Sequence, residues 1–455
     1  MRPLIFPILM ALLVIAPVAF SSTDDDDIAR AEEFLPAEII PALYNISVSP
    51  NWIDGTDSFW YLRTGRDGNE FVLVDAKNGT KMPAFDHAAL AEALADASGS
   101  EVDPSDLPFS EIQIDDPNVR FSAFNRTWEW DRKRSAIGEA PFGMEAGPGE
   151  ILSPDGKLAL FVEDSNLWIR ETATGDRYPL TADGSADYAY AKRSDTVSHP
   201  VSLARLNETA KPYAVWSPDS RRIATFRMDQ RNVTALHLLQ YAPGNGSRPR
   251  VWEYRFAMPD DETVPIYEPL VVDLQERRTV PVDYRPQPEV SLMDTEEDVL
   301  QIWSDDGQIL SSLYAERGEK ALRLLKTDPE TGKTEEILEE EGPTYVEANL
   351  DYASPPNFWP LDSGDLVWFS EKSGYGHLYL CGEDGQEKNA ITSGEWAVRT
   401  LLYVDENNSQ VYFTAGGREP GRDPYRRHLY RASLDGADIE LLTPEDADHD
   451  VQISP

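Results

Sequence analysis

Apolar and polar positions alternate in short bursts along most of the chain, and each burst ends in a turn. "EFVLVDAKNGT" and "LWIRETATGD" both read as strands of in-and-out character closed by a Gly-containing turn. In "SPDG" from Ser153, each residue occupies the place a type I turn prefers: Ser first, Pro second, Asp third and Gly fourth. The strand "KLALFVE" follows at once, and "SPDSRRIATF" from Ser217 repeats the arrangement. One stretch departs from this pattern. In "FDHAALAEALADASG" the Ala and Leu residues recur at helical spacing, Asp86 can cap the start and Gly99 can stop the end, so a short helix is predicted there.

The strands recur in units. "GHLYLCGEDGQEKNAITSGEW" begins at Gly376 and "RHLYRASLDGADIELLTPEDAD" at Arg427. Aligning His377-Leu378-Tyr379 with His428-Leu429-Tyr430 also aligns Thr392 with Thr443, 51 positions on in both cases. "NLWIRETATGDRYPLTADGSAD", earlier in the chain, has the same order: strand, Gly turn, short strand, then Leu-Thr and an acidic loop. A period of about 50 residues with several short strands per unit fits one blade of a β-propeller. The predicted fold is therefore all-β, a propeller of four-stranded blades with one short N-terminal helix; the rival is a β-sandwich of similar hairpins. The last residues, "HDVQISP", read as the entry to a further blade, so the expectation is an incomplete ring in a fragment of a longer protein.

Composition narrows the picture. A 41% apolar share with 10% aromatics can fill a core over 455 residues, and 34 prolines with 28 glycines, scattered along the chain, suit many turns and few long helices. A net charge of −40 argues against nucleic-acid binding, which needs a basic face. Arg outnumbers Lys, which suits a high-salt habitat without establishing one. At the N-terminus, Arg2 precedes an apolar run over residues 4–20, with the small residues Ala19 and Ser21 before an acidic leader at 24–27. The run reads as a signal peptide (1–22), or else as an uncleaved membrane anchor, and Pro7 and Pro17 favour cleavage. Either way the body is expected outside the cytoplasm, extracellular or on the cell surface, with a linker over 23–50 and the propeller over 51–455. Cys381 is the only cysteine, which leaves no internal disulfide. Seven Asn-x-Ser/Thr sequons, at Asn45, Asn78, Asn125, Asn207, Asn232, Asn245 and Asn407, permit glycosylation of an exported protein.

"AVWSPDSRRIATFRMDQRNV" followed by "YRFAMPDDETVPIYEPLVVDL" resembles the N-terminal propeller of the dipeptidyl peptidase IV group, in the prolyl oligopeptidase family of serine peptidases. So do "FWYLRTGRDGNEFVLVDAKNG", "FSEKSGYGHLYL" and "GREPGRDPYRRHLYRASLDG", in the expected order from about residue 59 to the end. The resemblance implies an α/β-hydrolase domain after the propeller, carrying a Ser-Asp-His triad that cleaves peptide amides through an acyl-enzyme. It also implies that the propeller gates access for short peptides, that no metal or organic cofactor takes part, and that the protein forms a homodimer. The triad itself is not expected here. No G-x-S-x-G occurs, since "GNGSRP" and "KSGYGH" fail on spacing, and His87, His199, His237, His377, His428 and His449 all fall in structural contexts. By itself the chain is expected to be catalytically inactive.

In relatives of this group, a stretch D-W-x-Y-E-E-E supplies glutamates that bind the ammonium of the substrate's N-terminus. The best match here is "DYAYAKRSD", where Asp187-Tyr188-Ala189-Tyr190 fits but Ala191-Lys192-Arg193 stands in place of the acids. A basic pair cannot clamp an ammonium. Tyr190, Lys192 and Arg193 are the substrate-contact candidates, with the basic pair meeting an acidic substrate group or a carboxylate; the plainer reading is a solvated connection with no ligand. "PEDADHD" gathers Asp446, Asp448, His449 and Asp450 but lacks the spacing of a calcium loop, so no metal site is expected. Trp168, Trp216 and Trp303 are expected in the propeller core rather than as sugar platforms. Two other function classes stay open: a free-standing secreted binding propeller, and a propeller glycosidase with acids at its channel.

Overall fold

The computed structural model describes residues 34–35, 43–45 and 48–454, apart from 54, 67, 125, 141–145, 197, 207–208, 244–247, 289–300 and 348–356. The expected export segment, the acidic leader, the sequons Asn125, Asn207 and Asn245, and Pro455 lie outside the described residues. The architecture is the expected all-β propeller; among the described residues six blades are four-stranded sheets and one, the fourth, is a six-stranded sheet. The chain forms two compact units, Met1–Ala140 with two blades and Pro141–Ser454 with five. No helix among the described residues is long and apolar enough to cross a membrane.

In the first unit the strands Asn51–Trp52, Ser58–Gly65, Gly68–Asp75 and Thr80–Pro83 form one antiparallel blade. Gln113–Asp115, Asn118–Ala123, Arg126–Asp131 and Ala136–Glu139 form the next. Between them runs helix α1, His87–Ser98, capped as predicted: the Asp86 side chain accepts from the Ala89 N–H, and Gly99 adopts a left-handed φ of 72°. Leu90 and Leu94 on α1 are fully buried against Phe71, Phe121 and Trp130. His87 Nε2 accepts from the Phe71 N–H at 2.9 Å, and burial lowers its pKa, so it packs as a neutral ring.

The second unit repeats a blade plan whose joints can be read atom by atom. A short inner strand leads through a Ser-x-Asp turn into a longer one: Ile151–Leu152 into Leu158–Glu163, Val215–Trp216 into Arg222–Asp229, and Gln301–Trp303 into Leu310–Ala315. In each turn the Ser hydroxyl donates to the Asp two residues on and accepts the N–H of the residue five on, at Ser153, Ser217 and Ser304. The fourth position takes positive φ, 68° at Gly156, 66° at Gly307 and 59° at Ser220, which is why Gly is preferred there. The third copy, "SDDG" at Ser304, has no proline to announce it.

The aligned Leu-Thr pairs close the blades. Thr181, Thr392 and Thr443 each accept, through Oγ1, the N–H of a Leu 14 residues earlier, Leu167, Leu378 and Leu429, at 2.9 Å in all three cases. The residue before the Leu braces the same loop. Asn166 Oδ1 accepts from Thr181 Oγ1 and from the Gly184 N–H, His377 bonds Thr392 Oγ1 and the Gly394 carbonyl, and His428 bonds the Thr443 carbonyl. Trp216 and Trp303 are buried as expected. Trp168 is only half-buried and lies under the Arg177 guanidinium, because its strand position faces away from the core. Cys381 is buried, and burial pushes its thiol up to about 11. The described sequon residues Asn45, Asn78, Asn232 and Asn407 are all exposed.

The fourth blade departs from the plan. Its main strands are Tyr188–Tyr190, Arg222–Asp229, Ile266–Asp273 and Arg278–Pro281. A separate two-stranded hairpin, Ala235–Gln240 with Arg250–Arg255, interrupts them. A second helix that periodicity did not predict, α2 (Pro200–Leu206), lies in the connection after the first strand. It is short and buries none of its residues, so it leaves no apolar stripe to read; Pro200 stands at its start, where a missing N–H is harmless.

Candidate functional site

The matched motif, Asp187 to Asp195, enters the fourth blade as its first strand. Tyr188, Ala189 and Tyr190 pair with Asp229, Met228 and Arg227. The two tyrosines share one face, and the Arg227 guanidinium lies 3.5 Å and 4.7 Å from their ring centroids. Tyr188 donates to Glu268 at 2.5 Å, and Tyr190 to Asp183 at 2.8 Å. Burial, then the Asp183 acceptor, push Tyr190 up to about 12. Tyr190 is thus a buried structural hydroxyl and does not line the cleft described below.

At Ala191 the chain turns sharply. Its φ is 49°, a left-handed value that costs a non-glycine residue on the order of 1 kcal/mol. The strain is held by two backbone bonds, from the Ala191 N–H to the Phe226 carbonyl and from the Tyr213 N–H to the Ala191 carbonyl. The turn sends the next two side chains different ways. Lys192 Nζ reaches Asp195 Oδ1 at 2.9 Å. Arg193 is 8% exposed and lies with its guanidinium 4.9 Å from the Tyr213 ring.

The segment is therefore no solvated connection. Ala191, Arg193, Ser194 and Asp195 are all buried, and Asp195 is bonded from three sides: by Lys192, by the Arg255 N–H at 3.1 Å, and from its own N–H to Gln230 Oε1 at 3.2 Å.

Arg193 opens onto a cleft of about 100 Å³ between the fourth and fifth blades. Five rings, Tyr213, Phe226, Tyr267, Tyr284 and Tyr314, contribute to its wall, and Arg193 is the one formally charged residue among the described lining residues. Tyr284 donates to Glu336 at 2.8 Å, just behind the wall, and burial pushes Tyr314 up to about 12. Such a cavity, walled by rings and aliphatic side chains, suits a ligand with flat or apolar parts.

The sequence named Arg193 but not the rings, which come from positions up to 121 residues further on and meet only through the blade topology. "PEDADHD" is spoken for: Asp446 pairs with Arg426 at 2.7 Å, and Asp448 accepts from Arg427 through both its backbone N–H and its guanidinium.

Residues 112–455 match the family described as the dipeptidyl peptidase IV (DPP IV) N-terminal region. The chain belongs to that family. Dipeptidyl-aminopeptidase B of Aspergillus niger is 26% identical over 448 residues, covering 90% of this chain and 47% of that protein. A protein of Neosartorya fischeri named "Probable dipeptidyl-aminopeptidase B" is 27% identical over 430 residues, covering 86% and 44%. This DPP IV N-terminal region thus spans about half the length of the curated relatives it matches. Among solved structures, Porphyromonas gingivalis dipeptidyl peptidase 4 superposes with a TM-score of 0.60 at 17% identity, covering 88% of this chain and 53% of that one, a likeness of fold.

Proposed function

We propose that the chain is the substrate-gating propeller region of an exported serine peptidase of dipeptidyl peptidase IV type, acting on short peptides, with the catalytic residues outside this chain. The observation that supports this most is the Arg193 cleft. The family motif position is retained as a strand, and Arg193, two residues past the strained Ala191, lines a cavity walled by five aromatic rings. Within this reading, Arg193 contacts the peptide, Lys192 borders the site in its pair with Asp195, and Tyr190 backs the strand. With Lys and Arg where relatives carry glutamates, a free peptide ammonium is not the group recognised here; an acidic side chain or a carboxylate is.

The test uses the native full-length product and this chain side by side. Fluorogenic dipeptide amides and short peptides should be cleaved by the full-length product, and a folded protein of the same sequence content should not. Fluorescein-labelled hexapeptides carrying Asp or Glu near the N-terminus should bind this chain more tightly than their amide-neutralised versions, and Arg193→Ala should remove the difference. A native product no heavier than this chain, with no hydrolysis, would move the assignment to a secreted binding propeller.

A further inference from the structure

We infer that Arg255, at the base of the extra hairpin, is a positioning residue for the Lys192–Arg193 turn, so that the hairpin sets the geometry of the candidate site. The inference rests on the proposed reading of that turn as a peptide contact. Arg255 ends the strand Arg250–Arg255, outside the blade sheet that carries the motif. Its Nε and Nη2 both donate to Asp187 Oδ2, at 3.1 Å and 2.7 Å, just before the first site strand. Its backbone N–H donates to Asp195 Oδ2 at 3.1 Å, just after the basic pair. Its Nη1 donates to the Val233 carbonyl at 2.9 Å, which fixes the guanidinium to the hairpin's own base. The neighbouring Tyr254 hydroxyl meets His199 Nε2 at 2.8 Å with the rings edge-on, adding a third tie beyond the turn.

Two adjacent hairpin residues therefore hold the motif segment on both sides of Lys192 and Arg193. The arrangement also passes displacement directly to a charged group. Asp195 uses one carboxylate oxygen for residue 255 and the other for Lys192, so a shift of the hairpin base moves the anchor that holds Lys192. The Arg255–Asp187 pair is about one-third exposed on each side, and pairs of that kind contribute little to overall stability. Its loss should therefore be felt in the placement of the turn more than in folding.

The probe is a fluorescein-labelled hexapeptide with an acidic second residue, titrated into the 455-residue chain and followed by anisotropy. Arg255→Ala should raise Kd on the order of tenfold, the scale of coupled contacts in one network, and should speed amide exchange at residues 192–196. Arg255→Lys should restore part of the affinity. Leu239→Ser, on the exposed part of the hairpin, should leave Kd unchanged. Should Arg255→Ala prove unfolded, Asp187→Asn weakens the same contact from the other side and is expected to act in the same direction. Unchanged Kd and exchange in folded Arg255 and Asp187 variants, with Arg193→Ala still impaired, would overturn the positioning role and leave the peptide site standing. Absence of peptide binding by the unaltered chain would overturn both.

Discussion

One hydroxyl shows how little chemistry fixes a blade. Thr392 Oγ1 satisfies the N–H of Leu378 inside a closed core and also meets His377, whose pKa is lowered by burial and whose other nitrogen bonds the Gly394 carbonyl. Removing that acceptor strands a buried N–H. Thr392→Val should cost about 1–3 kcal/mol in urea unfolding, whereas Thr392→Ser, which keeps the oxygen, should lose much less. The threonine was visible in the sequence because it recurs with its Leu. Its purpose was not, since the brace before the Leu is His in two blades and Asn166 in a third, and only hydrogen-bond geometry makes those equivalent. Likewise Lys192 and Arg193, adjacent in sequence and alike in charge, part company at a single left-handed alanine that no pattern announces.

Among elements, the Ser-x-Asp turns were the most legible, because Ser, Pro, Asp and Gly each carry a local conformational preference. They also predict a pH response. Asp155 is lowered to about 2 from the ordinary 3.8, first by its hydrogen bond with Lys157, then with help from the Ser153 hydroxyl. A carboxyl depressed in the folded state adds stability that is complete above about pH 4 and is lost as pH falls through about 2. The stability difference between the unaltered chain and Asp155→Asn should thus be constant near neutrality and shrink between pH 4 and pH 2, read as unfolding midpoints in denaturant across that range. Asp306 in the fifth-blade turn is lowered by the Ser304 hydroxyl and shares the direction. Helix α1 was equally legible from its cap and its stop, while α2 and the extra hairpin were not. Both follow from where the chain departs from the repeat, and repetition cannot forecast its own interruption.

For the molecule as a whole, charge sets the terms. At −40, mutual repulsion among surface carboxylates opposes compaction. The field reaches about 30 Å at 0.01 M salt and only about 3 Å at 1 M. The thermal midpoint should therefore climb as NaCl is raised between those limits, measured by circular dichroism; a flat or falling midpoint would mean that local ion pairs, such as those of Arg323 with Glu339 and its neighbours, outweigh the collective term. The fold class could be read from a 51-residue echo and the family from motifs in order. The aromatic cleft could not, because it is assembled from residues between Arg193 and Thr327 that share no spacing and meet only where two blades face each other.

The buried Cys381 gives the sixth blade a clock. With its thiol pushed up to about 11 and its surface closed, almost no thiolate is presented while the blade is intact, so a thiol reagent must wait for the strand His377–Cys381 to open. As the chain has no other cysteine, every labelled molecule marks one opening of that blade, and the labelling rate reports the local opening equilibrium without any engineered probe.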